Sequence, residues 1–369
     1  MKKVVLATVI SVLLSALTLA ACEGIYSLYE WRKPHQSVVY QLSAMAGLAK
    51  RLSNESAYAP YFADPQELAD LLPLINEEGV GIGGTPYRPG REDAAIKTTE
   101  NGCPTLKPNL RVTAFFLHSS AFGPYAFPTA FHPVDKKLDP RLDEFFRRYG
   151  GPHTSLSTNS QGERVTVPDV AADRVVLVSG DSVAFGAMID DDVTIASQMQ
   201  ARDSTRRYVN LGVPGDTAEE IHCRLEAATQ RYKGRIDELI YVYCENDLQS
   251  NGPYGTPREV MEGLKTIVAR EKIGKVAVIF APYIYMVVPE MTRIEGSVWS
   301  PSLRREKLRA ELKELVESAG YRWADSGALA RSEEQATKSS WAILGYFVDA
   351  VHLSAYGTRK LVDHLMAAD

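Results

Sequence analysis

The stretch VVLVSGDSVAFG, from Val175 to Gly186, decides the fold of this chain. Its valine-rich run is bounded by glycine, which is typical of a buried strand in a parallel sheet. Open α/β sheets bind ligands at the carboxyl ends of such strands, and Ser182 follows this one directly in a Gly-Asp-Ser turn. An ordinary strand-to-helix turn, capped by Asp or Ser, fits the same residues. The segment alone therefore predicts a strand and a turn, but no function.

Strand and helix patterns alternate from Val175 to the C-terminus. Apolar runs predict four more strands, at Tyr208–Leu211, Glu238–Cys244, Val276–Ala281 and Tyr321–Ala324. Helical patterns lie at Val193–Met199, Ala218–Arg231, Pro257–Ala269, Leu303–Ala319 and Tyr356–Met366. Such alternation indicates βαβ units. We therefore expect an α/β domain over residues 166–369, with a doubly wound, mainly parallel, five-stranded sheet.

Residues 1–22 have the pattern of an export signal. Two lysines precede an uncharged apolar stretch from Val4 to Ala21. The sequence Leu19-Ala-Ala-Cys22 resembles the lipobox of bacterial lipoproteins, which implies acylation of Cys22. The stretch is also just long enough for an uncleaved membrane anchor, and that alternative stays open. Both alternatives predict a membrane-attached protein of the cell envelope, with the bulk of the chain outside the cytoplasm.

Residues 23–165 are predicted to form a partly helical accessory region. Helical patterns lie at Val38–Leu52 and Pro65–Asn76, a short helix is expected from Pro140, and Val112–Leu117 is a candidate strand. The glycine-rich segment 79–90 lacks the preceding strand and following lysine of a phosphate-binding loop, so we expect a surface loop there. The region fits a substrate groove, a docking surface or a spacer from the membrane equally well.

Composition limits the possible partners. The chain has 369 residues, a net charge of -5 and a pI near 5.9 without a long basic run, which gives no support to nucleic-acid binding. Its four cysteines, Cys22, Cys103, Cys223 and Cys244, form no metal-binding pattern, and we expect no metal and no cofactor. Cys223 and Cys244 are expected to be buried, inert thiols. The acidic run Asp190–Asp192 is expected to be a solvated approach to a helix, with calcium binding as the alternative.

Five polar or flexible residues follow predicted strands or open predicted helices, so a parallel sheet brings them to one edge. Ser182 needs a base to become a nucleophile, and His352 has a carboxylate, Asp349, three residues before it. Asp349 can fix the imidazole tautomer while the other ring nitrogen faces the serine. Donors for an oxyanion are the backbone N–H groups of Ser182 and Gly215 and the side-chain amide of Asn246.

These residues lie in motifs that resemble, in order and spacing, the four blocks of the SGNH (GDSL-type) hydrolases. The motifs are GDS at 180–182, the glycine of NLGVPGDT, the Asn-Asp of CEND and the DxxH at 349–352. The resemblance implies a flavodoxin-like fold and the same roles: Ser182, His352 and Asp349 as triad, and Ser182, Gly215 and Asn246 as oxyanion donors.

The resemblance extends from about Arg174 to the C-terminus, and the NSQGER sequence at Asn159–Arg164 is similar to an NSxGxR approach seen in some members. Val183 replaces the leucine of the GDSL motif, and Glu245 stands where glycine often precedes the asparagine. The second departure places a longer, negatively charged side chain beside the asparagine and bears on which substrate fits.

The sequence thus predicts a cell-envelope serine esterase acting on acyl groups, with O-acetyl groups on a carbohydrate or small ester as expected substrate. Acyl transfer to a glycan, lipid acyl hydrolysis and a non-catalytic assembly lipoprotein are the alternatives. His222 is expected to be a surface histidine rather than a second base. The segment Tyr283–Trp299 is either a substrate-side loop or packed aromatic residues.

Overall fold

The computed structural model of the protein describes residues 96–100, 102–116, 129–134, 139–141, 144, 154–244, 247, 254–282, 301–337, 346–347 and 352–367. The predicted export signal, the two helices predicted at Val38–Leu52 and Pro65–Asn76, the glycine-rich segment 79–90 and the segment Tyr283–Trp299 lie outside these residues.

A five-stranded parallel sheet forms the centre of the structure. Its strands are β6 (Val175–Gly180), β7 (Arg207–Asn210), β8 (Ile236–Tyr243), β9 (Lys275–Phe280) and β10 (Arg322–Asp325). The order is β10–β9–β8–β6–β7, with every neighbouring pair parallel. Interior strand β6 is buried along its whole length, because helices cover both faces of such a sheet. The predicted α/β fold and its five-stranded sheet are confirmed.

The strand order reverses at β6, because β7 pairs with one of its edges and β8 with the other. Connections that leave neighbouring strands in opposite directions open a crevice at the carboxyl ends of those strands, where α/β proteins bind their ligands. Ser182 follows β6 by two residues and therefore lies at this point.

Seven helices are described around the sheet. They are α1 (Ser182–Phe185), α2 (Ile195–Gln200), α3 (Ala218–Arg231), α4 (Pro257–Glu271), α5 (Pro301–Ser318), α6 (Ser326–Thr337) and α7 (Ala355–Ala367). Contacts link α3 to α4 and α4 to α5, whereas a second group links α2 to α7 and α7 to α6. The sequence did not predict α6. Within the described ranges, no helix combines the length and the apolar character that crossing a membrane requires.

The described part of the accessory region consists mostly of strands. A hairpin joins β1 (Lys97–Glu100) to β2 (Cys103–Leu106). A second antiparallel sheet has the order β4–β3–β5, with β3 at Arg111–Phe116, β4 at Thr129–Pro133 and β5 at Thr154–Ser157. The strand expected at Val112–Leu117 is present as β3. Most of the short helix predicted from Pro140 lies outside the described residues.

A second apolar core joins this β region to the parallel sheet domain. On the accessory side it contains Ile96, Leu106, Val112, Ala114 and Leu156, and on the other side Phe185, Met188 and Val213. Phe185 ends helix α1, and Val213 lies in the loop after β7. The accessory strands therefore pack behind the two loops that carry Ser182 and Gly215.

A disulfide between Cys103 and Cys223 links hairpin strand β2 to helix α3. The expectation of an inert thiol at Cys223 is therefore wrong. Its disulfide partner lies on the accessory hairpin, which the sequence did not predict. Cys244 is a free, buried thiol, as expected.

Two residues of the acidic run before α2, Asp190 and Asp191, bind the accessory sheet, whereas Asp192 is exposed as expected. Asp190 Oδ1 accepts hydrogen bonds from the backbone N–H and the hydroxyl of Ser155, at 2.7 and 2.9 Å. Asp191 is only 7 % exposed, and its Oδ1 accepts from Ser157 N–H at 3.2 Å. The expectation of a solvated run is wrong for Asp191, since β5 covers it. Among the described residues, no group of three potential ligands could hold a metal ion.

His222 lies in the core, so the expectation of a surface histidine is wrong. It is 3 % exposed on the side of α3 that faces α4, with its ring edge-on to Tyr241 and Tyr254 at centroid distances of 5.7 and 4.7 Å. Neither ring nitrogen has a hydrogen-bond partner among the described residues. Burial lowers the pKa of His222 to about 4, because a charged imidazole there would lose its hydration.

This burial predicts a pH-dependent stability. The unfolded chain takes up a proton at His222 near pH 6.5, whereas the folded chain does so only near pH 4, so stability is lost as the pH falls through that window. The shift sets an upper limit of about 3 kcal/mol on the loss. We expect His222→Phe, which keeps the aromatic contacts, to lose less unfolding free energy than the wild type between pH 7 and pH 5. Urea denaturation at the two pH values measures the difference, and equal losses in both proteins would contradict this assignment.

Candidate active site

Ser182 is the first residue of helix α1, at the carboxyl end of β6. Asp181 caps this helix: it is fully buried, and its Oδ1 accepts a hydrogen bond from Val183 N–H at 2.9 Å. Gly180 makes the tight turn possible, because a Cβ there would lie 2.6 Å from the carbonyl oxygen of Val242. The serine is 7 % exposed, so its position is fixed by packing on both sides.

His352 contacts the serine hydroxyl although 170 residues separate them in sequence. Its Nε2 lies 2.8 Å from Ser182 Oγ, and in the tautomer with the proton on Nδ1 it accepts the hydroxyl hydrogen. An antiparallel bridge pairs Phe347 with Leu353, the residue after His352. Ser354 N–H also donates to the carbonyl of Tyr346 at 2.8 Å. The structure thus brings together the predicted nucleophile and the predicted base.

Gly215 lies in the loop after β7, which we call the glycine loop (residues 211–217). It is exposed and has a φ of 71°, a left-handed conformation in which a side chain would be strained. Val213 N–H in the same loop donates to the carbonyl of Gly180 at 3.3 Å. The loop that carries Gly215 is therefore joined to the turn that carries Ser182.

Gly212 is a residue of this site that the sequence analysis missed. A Cβ at Gly212 would lie 2.0 Å from the backbone nitrogen of Phe185 and 2.6 Å from the carbonyl carbon of Ala184. The glycine loop thus rests directly on the backbone of helix α1. The available signal was the first glycine in NLGVPG, three residues before Gly215.

Three predicted site residues, Asp349, Asn246 and Cys22, lie outside the described residues. Their roles as the partner of His352, as an oxyanion donor and as the acylated cysteine stay predictions. The segment 348–351, which contains Asp349, falls between the paired residues Phe347 and Leu353.

Asp247, which follows Asn246, closes the turn after β8. Its side chain accepts hydrogen bonds from the Tyr241 hydroxyl and, at 2.8 Å, from Cys244 N–H. Burial raises the pKa of Asp247 to about 8, and the nearby carboxyl group of Asp181 adds to the shift.

Arg164, from the NSQGER segment, holds the C-terminal end of α1. Its buried guanidinium donates to the carbonyl oxygens of Phe185 at 2.8 Å, Gly186 at 2.5 Å and Ile189 at 2.6 Å, and to Asp191 at 3.0 Å. One side chain thus satisfies the carbonyl groups that the end of a helix leaves unpaired. The sequence marked this arginine only through its motif and gave it no role.

Solved structures with a similar fold are known, although no protein-family model and no curated protein matches this sequence. A lipolytic G-D-S-L family protein from Veillonella parvula DSM 2008 is 14% identical, over 53% of this chain and 97% of its own, with a TM-score of 0.40. A carbohydrate acetylesterase family member from Sinorhizobium meliloti is 18% identical, over 53% of this chain and 96% of its own, with a TM-score of 0.37. A catalytic mutant of an acetylxylan esterase from Geobacillus stearothermophilus is 21% identical, over 54% of this chain and 95% of its own, with a TM-score of 0.39. At this level of similarity, residue roles follow from this chain's own geometry.

The contact between Gly212 and α1 predicts a strong effect of a single methyl group. We expect Gly212→Ala to push the glycine loop away from Ser182 and to slow the labelling of Ser182 by a fluorophosphonate by about 100-fold. We expect a stability cost of about 1–3 kcal/mol from the overlap. Labelling rates and urea denaturation measure the two effects.

Gly274→Ala is the matched control, because Gly274 is exposed and a Cβ there meets nothing within 4 Å. The control should label at the wild-type rate. Wild-type labelling of Gly212→Ala would show that the glycine loop does not set the position of Ser182.

Proposed function

We propose that the protein is a serine esterase of the cell envelope that hydrolyses short acyl esters, with O-acetyl groups on a carbohydrate as its substrate class. The observation that carries the proposal is the 2.8 Å contact between Ser182 Oγ and His352 Nε2. It lies at the carboxyl ends of the parallel strands, beside a loop whose glycine has a left-handed backbone. Acyl transfer requires a nucleophile, a base and nearby backbone N–H groups that can donate to the oxyanion.

In this mechanism His352 moves the protons and Ser182 carries the acyl group. Ser182 Oγ attacks the ester carbonyl carbon while His352 Nε2 takes the hydroxyl proton. The tetrahedral intermediate collapses, the bond to the alcohol breaks, and the imidazolium returns the proton to the leaving oxygen. A water then attacks the acyl-serine, again giving its proton to His352. The acid leaves, and Ser182 Oγ recovers the proton.

The negative charge on the carbonyl oxygen needs donors that are already in place. We assign this role to the backbone N–H groups of Ser182 and Gly215 and the side-chain amide of Asn246. Packing of the glycine loop on α1 supports the assignment, because it limits the freedom of Gly215 relative to Ser182. Asp349 is assigned as the carboxylate that holds the proton of His352 on Nδ1.

The substrate class rests on the resemblance of the four sequence motifs to SGNH hydrolases and on the predicted export. A fold supports many activities, so the substrate has to be identified by assay. Lipid esters are therefore to be tested as substrates beside acetylated glycans.

We expect purified protein lacking residues 1–22 to hydrolyse a short-chain aryl ester and to release acetate from an acetylated glycan. Ser182→Ala and His352→Ala should each lower the rate by at least about 10³-fold, since each removes a group that makes or breaks a bond. A fluorophosphonate should label Ser182 in the wild type. Release of acid, measured by pH-stat, and mass spectrometry of the labelled peptide are the readouts.

His364→Ala is the matched control for His352→Ala, because His364 is an exposed histidine near the end of α7. It should keep the wild-type rate. Absence of both labelling and hydrolysis in a folded wild type would exclude the esterase. Hydrolysis of lipid esters alone would keep the chemistry and replace the carbohydrate substrate.

The proposed location is the outer side of a bacterial membrane, with acylated Cys22 as the anchor. The disulfide between Cys103 and Cys223 supports a location outside the reducing cytoplasm, where such bonds are rare. Both this bond and the predicted signal of residues 1–22 favour export.

In a bacterial host, we expect the full-length protein to incorporate labelled palmitate and to partition into the membrane fraction with its disulfide oxidised. Cys22→Ser should lose the label. Membrane partition without palmitate would favour an uncleaved anchor, and recovery of the protein in the cytoplasm with reduced cysteines would exclude export.

A further inference from the structure

One guanidinium connects the two loops of the proposed site. Arg224 lies on α3 and is only 6 % exposed. Its Nε donates to the carbonyl oxygen of Leu211 at 2.6 Å, at the start of the glycine loop. Its Nη2 donates to the carbonyl oxygen of Gly180 at 3.2 Å, two residues before Ser182. The guanidinium thus forms hydrogen bonds to the backbone two residues before Ser182 and four residues before Gly215.

A buried carboxylate completes this arrangement at the other end of the glycine loop. Asp216 follows Gly215, is fully buried and forms an ion pair with Arg224 Nη1. Arg224 therefore holds both ends of the segment that contains Gly215. A planar fork with five N–H donors can satisfy these acceptors at once, which a lysine ammonium cannot do in the same geometry.

The accessory hairpin supplies the second partner of Asp216. Lys97 Nζ, on β1, lies 3.1 Å from Asp216 Oδ1. Burial raises the pKa of Asp216, whereas the positive charges of Arg224 and Lys97 oppose that shift. Burial raises the pKa of Asp181 as well, and the charge of Asp216 adds a smaller contribution. The two cations offset part of the cost of burying the Asp216 carboxyl group beside a second buried acid.

The disulfide fixes the hairpin at the position where it meets Arg224. Cys103 bonds to Cys223, the residue before Arg224. The carbonyl oxygen of Pro104, the residue after Cys103, accepts a hydrogen bond from Arg224 Nη1 at 3.1 Å. The disulfide and the hydrogen bond thus connect the neighbours Cys103 and Pro104 of the hairpin to the neighbours Cys223 and Arg224 of α3. The hairpin therefore has little freedom to move away from the guanidinium.

We propose that Arg224 is a positioning residue that sets the turn of Ser182 against the glycine loop, and that the disulfide-bonded hairpin holds its guanidinium in place through Lys97 and Pro104. The inference rests on the proposed esterase function. It assigns the hairpin of the accessory region to the geometry of the active site. Arg224 and Lys97 act through the backbone of the two loops and do not touch the substrate.

The test compares Arg224→Lys and Lys97→Met with the wild type. We expect Arg224→Lys to lower kcat by about 10- to 100-fold and to leave KM within about threefold, since a displacement of about 1 Å at the reacting groups costs rates of this order. Lys97→Met should lower kcat by a smaller factor, about three- to tenfold, because Arg224 remains bonded to Asp216. Lys97→Arg should restore most of the rate, because it returns the charge and a donor.

Arg231→Lys is the matched control. Arg231 lies on the same helix and also pairs with a buried carboxylate, Glu163, at 2.6 Å, but its partners Glu163 and Glu100 belong to neither loop. We expect it to lose thermal stability while keeping kcat. Hydrogen exchange adds a readout that does not need activity: amides of residues 180–186 and 211–216 should exchange faster together in Arg224→Lys and stay protected in Arg231→Lys.

Retention of kcat within twofold in Arg224→Lys, or an equal loss in Arg224→Lys and Arg231→Lys, would overturn the proposal. If Arg224→Lys does not fold, Lys97→Met decides, and unchanged kcat and unchanged exchange in that variant would overturn it. Failure of the esterase function itself looks different, because the folded wild type would then neither hydrolyse esters nor react with a fluorophosphonate.

Discussion

The close contact between two pieces of backbone governs this structure. Gly212 lies against the peptide of Ala184 and Phe185 with no room for a Cβ, so the glycine loop and helix α1 behave as one layer. An apolar core supports that layer on the side away from His352. Phe185, Met188 and Val213 form the apolar side of this layer, and strands from the accessory region pack against that side. Backbone groups that are fixed in this way do not need to reorganise when charge develops next to them.

Two buried arginines hold this layer from outside it. Arg164 donates hydrogen bonds to carbonyl oxygens at and after the end of α1, and Arg224 donates to carbonyl oxygens at the starts of the two loops. Buried guanidinium groups are costly unless all their donors are used, and both of these have several acceptors. Their positions make polar interactions, rather than apolar packing alone, responsible for the alignment of the loops.

The sequence predicted the parts of the molecule that depend on local pattern. Short apolar runs predicted the five parallel strands, and the order of GDS, NLGVPGDT and DxxH predicted that Ser182 and His352 would meet. The strands of the accessory region were largely missed, because β1, β2, β4 and β5 are only four or five residues long and carry no clear alternation.

Residues whose roles depend on distant partners were missed for a related reason. Asp191 and His222 have ordinary solvent-facing sequence contexts, and they are buried only because β5 and α4 cover them. Arg224 and Cys223 obtain their roles from a hairpin about 120 residues earlier in the chain. No local periodicity records such pairings, so the sequence predicted neither the disulfide of Cys223 nor a role for Arg224.

The shared apolar core also has a consequence for how this chain can be cut. A fragment that starts at residue 166 would contain all five parallel strands, Ser182 and His352, yet it would expose Phe185, Met188 and Val213 to water and leave Asp216 without Lys97. Such a fragment keeps Ser182 and His352 but lacks the accessory strands that pack on the apolar side of the two loops. The catalytic unit of this protein is therefore larger than the span of its sequence motifs, and fragment boundaries for expression belong upstream of Ile96.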